Sequence, residues 1–177
     1  MLQAVTIAIA AMVGAHAAGQ AEAPAKAPPP AAVNPPPVVK ATPGKVSLKD
    51  PASLVAALQR AGYKAMLTYD EGKPEIESSA AGATYYLYFQ GCDSKEGCSD
   101  LMLQSAYDLD KGAVSIEQMN AFNKDNRWAR AYLDDEGDPI LEYDVMFANG
   151  QTDEAVFIED VKAWDDVLGR FHKIIDW

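Results

Sequence analysis

The chain has 177 residues and is 49% hydrophobic, with three Trp, eight Tyr and five Phe, which is enough to form the core of one domain. Its net charge of -11, from 15 basic and 26 acidic residues, argues against a nucleic-acid partner, because phosphate binding needs a basic face. The charge is uneven: residues 1–49 hold four Lys and one Glu, so the remainder holds 11 basic and 25 acidic residues, a net charge of -14.

Residues 1–18 are predicted to be a signal peptide. A short apolar run from Ala4 to Ala15 is followed by small residues, as at a secretory cleavage site, although no Lys or Arg precedes the run. We therefore expect cleavage near Ala17/Ala18 and a periplasmic or secreted protein. The run is too short to cross a bilayer comfortably, so we expect no stable membrane span in the mature chain.

Residues 19–46 are rich in Pro and Ala and contain no aromatic residue. Such a composition cannot bury enough surface to offset the entropy lost on ordering, so we predict a disordered linker. Pro-rich linkers extend by about 3.1 Å per residue, and this one would hold the domain at 47–177 away from whatever the start of the chain contacts.

The first helix of that domain is bounded by Asp50, Pro51 and Gly62, which suit the N-cap, the first helical position and the C′ position. Tyr63 follows at C″, where it can contact Leu58 as in a Schellman motif. The sequence after this helix, Asp-Glu-Gly-Lys at 70–73, predicts a tight turn between two strands of a hairpin.

The strand predicted over Ala83–Gln90 carries aromatic side chains on both faces. Tyr85 and Leu87 share one face, and Tyr86 and Tyr88 share the other. We favour a central strand that is covered on both faces. The alternative is an exposed pair, Tyr86 and Tyr88, available to a partner.

Cys92 and Cys98 enclose five residues between this strand and the next. In an oxidising compartment such a pair is expected to form a structural disulfide that closes a hairpin. Redox-active pairs are typically C-x-x-C at a helix start, and two thiols without a nearby His make a poor zinc site. We therefore expect no metal here.

A second helix is predicted to start at Ser115, because Gln118 completes a capping box three residues later. Ile116, Met119 and Phe122 form its apolar stripe, which is expected to face the core.

This helix should end near Asn126 and lead directly into a β-hairpin. Trp128–Leu133 has the alternation of a strand, residues 134–139 form an acidic turn with Gly and Pro, and Ile140–Phe147 alternates again. The sequence therefore predicts a helix-to-strand junction followed by two paired strands.

The junction contains the pattern Asn-x-x-x-Arg-aromatic-Ala-Arg-Ala-Tyr-Leu-Asp-x-x-Gly-Asp at 123–138, which resembles the YbjN family of bacterial putative sensory transduction regulators. The resemblance covers roughly residues 50–177 and implies an α+β fold similar to type III secretion chaperones. In that fold a small antiparallel sheet has helices packed against it, in the order α-β-β-β-β-α-β-β-α. The motif is a junction rather than a constellation of reactive groups, so it implies a fold and no particular chemistry.

The arginines of the motif can be placed by the hairpin register. If the turn is centred on residues 136–137, Arg127 lies diagonal to Asp144 and Arg130 lies opposite Tyr143. We therefore expect structural roles for both arginines, through an ion pair and a cation–aromatic contact. The alternative is that they bind the carboxylates of a partner.

Six aromatic or basic residues are thus candidates for binding a partner: Tyr86, Tyr88, Arg127, Trp128, Arg130 and Tyr132.

A last helix is predicted to begin near Thr152 or Asp153. Its apolar residues recur at alternating spacings of four and three and form a seam, made of Phe157, Val161, Trp164, Leu168, Phe171 and Ile175. The seam must pack on the sheet or on another copy of the chain, so a homodimer is left open. His172 lies off the seam and is expected to be solvated.

No catalytic residue or cofactor is predicted, because the sequence has no triad, phosphate loop or dinucleotide fingerprint. The acid pairs Asp134 with Asp138 and Glu142 with Asp144 would suit a carboxylate mechanism or calcium, but the turn lacks the EF-hand spacing and is interpreted as solvated. We favour a non-enzymatic, exported module, chaperone-like or regulatory, that binds a protein or peptide. The alternatives are a structural or stress-related envelope protein that acts as an oligomer, and a carboxylate-dependent hydrolase.

Overall fold

The computed structural model describes residues 44–94 and 97–177, so the predicted signal peptide and almost all of the predicted linker lie outside it. Eight strands and three α-helices follow one another along the described chain. The strands are β1 (Lys45–Ser47), β2 (Lys64–Asp70), β3 (Lys73–Ala80), β4 (Ala83–Gln90), β5 (Asp100–Ala106), β6 (Ala129–Leu133), β7 (Pro139–Met146) and β8 (Gln151–Asp153). The helices are α1 (Pro51–Arg60), α2 (Ile116–Asp125) and α3 (Glu154–Ile175).

Six of the strands form one antiparallel sheet in the order β2-β3-β4-β5-β7-β6. This confirms the predicted α+β class and, apart from β1 and β8, the predicted order of helices and strands. None of the described helices is long and apolar enough to cross a membrane.

A second, two-stranded sheet of β1 and β8 was not predicted. Lys45 and Val46, which the sequence assigns to the linker, belong to β1, and Val46 is fully buried. The Lys45 ammonium lies 2.9 Å from the carboxylate of Asp153, its partner across the two strands. The domain therefore includes residues just before the predicted boundary at 47, because they pair with a strand more than 100 residues later.

The end of α1 is a Schellman motif, as predicted. The Tyr63 N–H donates to the carbonyl of Leu58 at 3.0 Å, and the Gly62 N–H donates to that of Gln59 at 3.1 Å. Gly62 has φ +93°, a conformation that glycine adopts without strain. The chain can therefore reverse within two residues and enter β2.

The hairpin of β2 and β3 turns through two residues, Glu71 and Gly72, with φ of 47° and 81°. Two positive φ angles are the requirement of a type I′ turn, whose twist matches that of the flanking strands. The predicted turn at 70–73 is thus confirmed.

The start of α2 has the predicted capping box. The Ser115 hydroxyl accepts the Gln118 N–H at 3.3 Å, and the Gln118 side chain accepts the Ser115 N–H at 2.9 Å. Met119 and Phe122 are buried as expected. The assignment of Ile116 to the core is wrong, since 64% of it is exposed. The residues that face the core here are Val114, just before the helix, and Met119.

The three helices pack on one face of the large sheet. The predicted seam of α3 is buried in full, and its Trp164 ring lies 5.5 Å from the ring of Tyr85 on β4. The α2 helix joins the same layer, because Phe122 packs edge-on against Phe171 of α3 at 5.1 Å. The sequence allowed the seam to pack either on the sheet or on another copy of the chain, and the structure shows that it packs on the sheet.

The opposite face of the sheet carries none of these helices, so the expectation that β4 is covered on both faces is wrong. Tyr85 and Leu87 are fully buried, whereas Tyr86 and Tyr88 are half-buried and Thr84 is exposed. In a sheet with helices on one side only, the alternate side chains of each strand lie on the side without helices.

The expectation that His172 is solvated is also wrong. It is 8% exposed, and its Nε2 lies 2.8 Å from the hydroxyl of Tyr107, the residue that follows β5. The chain between β5 and α2 folds over the end of α3 and covers a helix flank that the apolar seam does not include. Burial lowers the pKa of His172, and an interaction with the Ala81 backbone offsets this in part.

Candidate functional site

We call the side of the six-stranded sheet that none of the described helices covers the open face. It is defined by two rows of side chains that cross the sheet in register. One row consists of Met66, Glu77, Tyr86, Gln104, Glu142 and Arg130. The other consists of Thr68, Glu75, Tyr88, Met102 and Asp144.

The centre of the open face is a pair of stacked tyrosines. The rings of Tyr86 and Tyr88 lie 6.0 Å apart between centroids, with 27° between their planes. On β3 their direct neighbours are Glu77 and Glu75. Burial, followed by the negative charge of Glu75, raises the pKa of Tyr88, so this hydroxyl stays neutral. The two rings thus form an apolar patch next to two acidic side chains.

Beside the tyrosines lies a buried carboxylate, that of Glu142, which is only 4% exposed. It accepts hydrogen bonds from Gln104 Nε2 at 2.7 Å, from the Tyr132 hydroxyl at 2.8 Å and from Arg130 Nε, and Arg130 Nη2 lies within ion-pair distance of it. Both oxygens of this carboxylate therefore have partners. Asp144, two residues later on β7, is exposed.

This network exists because the hairpin register differs from the predicted one. The Asp134 N–H donates to the carbonyl of Asp138 at 2.9 Å, which leaves a loop of three residues that ends in Gly137 at φ +96°. The register therefore shifts by one, and Arg130 lies opposite Glu142. A shift of one residue moves a side chain to the other face of a sheet. Arg130 consequently lies on the open face instead of facing the core.

Arg127 and Trp128 lie apart from the open face. Trp128 has φ +70° and is 71% exposed, and the guanidinium carbon of Arg127 lies 4.9 Å from the centroid of its ring. The predicted approach of Arg127 to Asp144 is wrong, because Asp144 faces Arg130 at 4.0 Å. Arg127 and Trp128 line a groove of about 440 Å³ between the end of α2 and α3, which includes Arg170.

Other members of the motif hold the junction together. The Asn123 side chain accepts the Ala131 N–H at 2.7 Å and donates to the Ala131 carbonyl at 2.9 Å. It thereby satisfies backbone groups on β6, which is an edge strand of the sheet. Backbone N–H groups, first that of Asp138, lower the pKa of Asp134, which accepts three of them. These roles are structural, as expected for a junction.

The predicted disulfide is present between Cys92 and Cys98, at the end of the β4–β5 hairpin. Gln90 and Asp100 pair directly before and after it. Cys98 also lines a cavity of about 490 Å³ next to Phe147. The disulfide thus links β4 and β5 covalently at one end of the sheet, and its cysteines belong to neither row of the open face.

Four of the six candidate residues meet on the open face, namely Tyr86, Tyr88, Arg130 and Tyr132. Sequence reasoning did not include Glu75, Glu77 and Met102, which complete the surface around the tyrosines. The alternation along each strand shows which of its residues share a face. It does not show the register between strands, and that register brings Glu75, Glu77 and Met102 next to the tyrosines. Across residues 44–94 and 97–177, no group of three or more His, Cys, Asp or Glu side chains could hold a metal ion.

Comparison with known proteins yields a family match. The family YbjN, with the description putative bacterial sensory transduction regulator, matches residues 50–171. The matched segment contains both rows of the open face and most of α3. No curated protein and no solved structure matches the chain.

Proposed function

The chain belongs to the YbjN family, and on that premise we propose that it is a non-enzymatic, exported module that binds a protein or peptide partner on the open face. The description of the family as regulatory supports a role in binding at the family level. The half-buried tyrosine pair on an uncovered sheet is the observation that carries the proposal.

The composition of the open face favours binding over simple solvation. An antiparallel sheet with one face on the core normally has polar side chains on the other. Here the solvent side carries Tyr86, Tyr88 and Met102, and Met66 is 54% exposed. Aromatic residues and Met are enriched in protein interfaces, and the flexible Met side chain adapts to more than one partner. This surface therefore fits a partner of similar apolar and polar character.

Two features support the non-enzymatic part of the proposal. Both oxygens of the Glu142 carboxylate already bind side chains of the sheet, those of Gln104, Tyr132 and Arg130, which gives this group a structural role. The pKa of Asp134 is lowered, whereas a general acid at neutral pH needs a raised one. Both acid pairs that suggested a hydrolase therefore include a carboxylate with a structural role.

The oligomeric alternative depended on a helix seam that could meet a second copy. That seam is buried against the sheet, with Phe157, Val161 and Trp164 all fully inaccessible.

Export is supported by the disulfide of Cys92 and Cys98, since such bridges persist in oxidising compartments.

Site-specific photo-crosslinking in cells tests the proposal. A crosslinking residue at Met66 or Asp144, both on the open face, should trap a discrete partner. The same residue at Val156, which is exposed on α3 to a similar extent as Met66 (51% and 54%), should not. Tyr88→Ala should abolish the crosslink, because truncation of an interface hot spot costs about 2 kcal/mol or more. Equal crosslinking from Val156 and Met66 would contradict the assignment of the open face.

A further inference from the structure

We propose that the segment bound on the open face is basic, with an arginine or lysine side chain lying over the Tyr86–Tyr88 pair between Glu75 and Glu77. This inference deepens the proposed function and rests on it, because it specifies the chemistry of the partner.

The geometry of β3 and β4 supports a site for a cation. Glu75 lies directly opposite Tyr88, and Glu77 lies opposite Tyr86. Opposite residues in an antiparallel pair have Cβ atoms about 4.5–5.5 Å apart. Each of the two stacked rings therefore has a carboxylate-bearing residue directly opposite it on β3. A cation is attracted to a ring within about 6 Å of its centroid, and a guanidinium can also pair with a carboxylate.

Two basic side chains lie on the same face near the two carboxylates: Lys73 is two residues before Glu75 on β3, and Lys64 lies opposite Ser79, two residues after Glu77. Among residues 44–94 and 97–177, no Lys or Arg forms an ion pair with Glu75 or Glu77. Arg130, the basic member of the two rows, is committed to Glu142 and Asp144. The Thr68 hydroxyl, 3.4 Å from the Glu75 carboxylate, is neutral. A cation from a partner would therefore complete these contacts without displacing an existing ion pair.

The distribution of charge along the chain also indicates which kind of partner would bind to the open face. A second copy joined by two-fold symmetry would bring the same acidic patch, with Glu75 and Glu77, against itself. Residues 1–43 of the chain carry only Lys26 and Lys40 against Glu22, and no Arg. A basic segment of another protein fits better, and the charge of -14 on residues 50–177 would attract it over a distance.

Peptide binding to the full chain tests the inference. The probes are fluorescent peptides of alternating arginine and valine, and the same peptides with citrulline, a neutral isostere, in place of arginine. Fluorescence anisotropy should show that the arginine peptide binds about tenfold more tightly or better, because only the charged side chain gains from rings and carboxylates. Tyr88→Leu should weaken binding of the arginine peptide.

Two double variants that remove the same charge at different places test whether the preference for arginine depends on Glu75 and Glu77. Glu75→Gln with Glu77→Gln should reduce the preference for arginine over citrulline to about twofold or less. Glu117→Gln with Glu136→Gln removes the same charge from exposed positions outside the open face and should leave the preference unchanged. Circular dichroism and thermal melting check that all variants are folded.

Three results would overturn the inference: equal binding of both peptides, equal loss in both double variants, or no binding of either peptide. Equal binding of the two peptides that is lost in Tyr88→Leu would refute the basic partner and leave the open face as a docking surface. Failure of the crosslinking experiment from Met66 and Asp144 would instead refute the proposed function itself.

Discussion

Arg127 and Arg130 belong to the same motif, yet only Arg130 contacts a buried group. Its guanidinium pairs with Glu142, which is 4% exposed, whereas Arg127 stacks on the exposed Trp128. The sequence predicted structural roles for both arginines. Their contacts differ because Arg130 lies within β6, whereas Arg127 precedes the strand and is separated from it by Trp128 at φ +70°.

Arg130→Ala is expected to lower the free energy of unfolding by about 1–3 kcal/mol, since it leaves a buried carboxylate without its ion-pair partner. The exposure of Arg130 itself favours the lower part of this range. Arg127→Ala serves as the control, and we expect a loss below about 1 kcal/mol. Urea denaturation measures both. A larger loss for Arg127→Ala than for Arg130→Ala would contradict these assignments.

His172 should make the stability depend on pH. Burial lowers its pKa in the folded state, so the unfolded chain, with a pKa near 6.5, takes up the proton first. Above this pH both states are neutral and the residue has no effect. As the pH falls below about 6.5, the free energy of unfolding should decrease until the folded state is also protonated.

Denaturation of the wild type and of His172→Gln from pH 8 to pH 5 checks this expectation. The variant loses the hydrogen bond to Tyr107 and is expected to be less stable at pH 8, but its stability should change less between pH 7 and pH 5.5. If the two curves remain parallel over this interval, His172 does not cause the dependence.

At the scale of single elements, the β4–β5 hairpin is stapled by a covalent bond. The bridge between Cys92 and Cys98 closes a loop that the antiparallel pairing of Gln90 and Asp100 already brings together. Cys92→Ser with Cys98→Ser should lower the free energy of unfolding by about 2 kcal/mol, as the chain-entropy model gives for so short a loop. Thermal melting measures the loss, and alkylation with mass spectrometry measures the thiols. Two freely alkylated thiols in the native protein would contradict the bridge.

The β6 edge is another element whose protection can be tested. Asn123 occupies the N–H and the carbonyl of Ala131, which would otherwise be open to another strand. Asn123→Ala is expected to cost about 1 kcal/mol and to promote self-association at high concentration. Asn120→Ala, an exposed substitution three residues earlier on α2, is the control. Light scattering coupled to size exclusion should show association for Asn123→Ala only. A monomer at every concentration would argue against protection of the edge.

For the whole molecule, charge should govern the rate of binding. Residues 50–177 carry a net charge of -14, so association with a basic peptide should be fast at low salt. The rate should fall steeply as the ionic strength approaches 0.15 M, where the Debye length is about 8 Å. Stopped-flow fluorescence at several salt concentrations measures this. A rate that is independent of salt would indicate that the tyrosine rings dominate recognition.

Local signals in the sequence predicted a large part of the fold. The ends of α1 and α2, the turn at Glu71 and Gly72, and the disulfide depend on residues close together in the chain. Hydrophobic alternation predicted most of the strands of the large sheet, and the seam of α3 was correct at each position. These features follow from propensities, caps and periodicity, which act over a few residues.

The candidate site was predicted only in part, because it depends on pairing between distant segments. The tyrosine pair and Arg130 were identified as residue types, but only the register between strands shows that they share a face with Glu75 and Glu77. Sequence alone therefore determined which elements form and where most of them begin and end. The tertiary structure alone decided the burial of Glu142 and His172, the pairing of β1 with β8 and the uncovered side of the sheet. The physical reason is that burial and register depend on contacts between segments that are far apart in the chain. The residues next to a given position in the sequence do not determine those contacts.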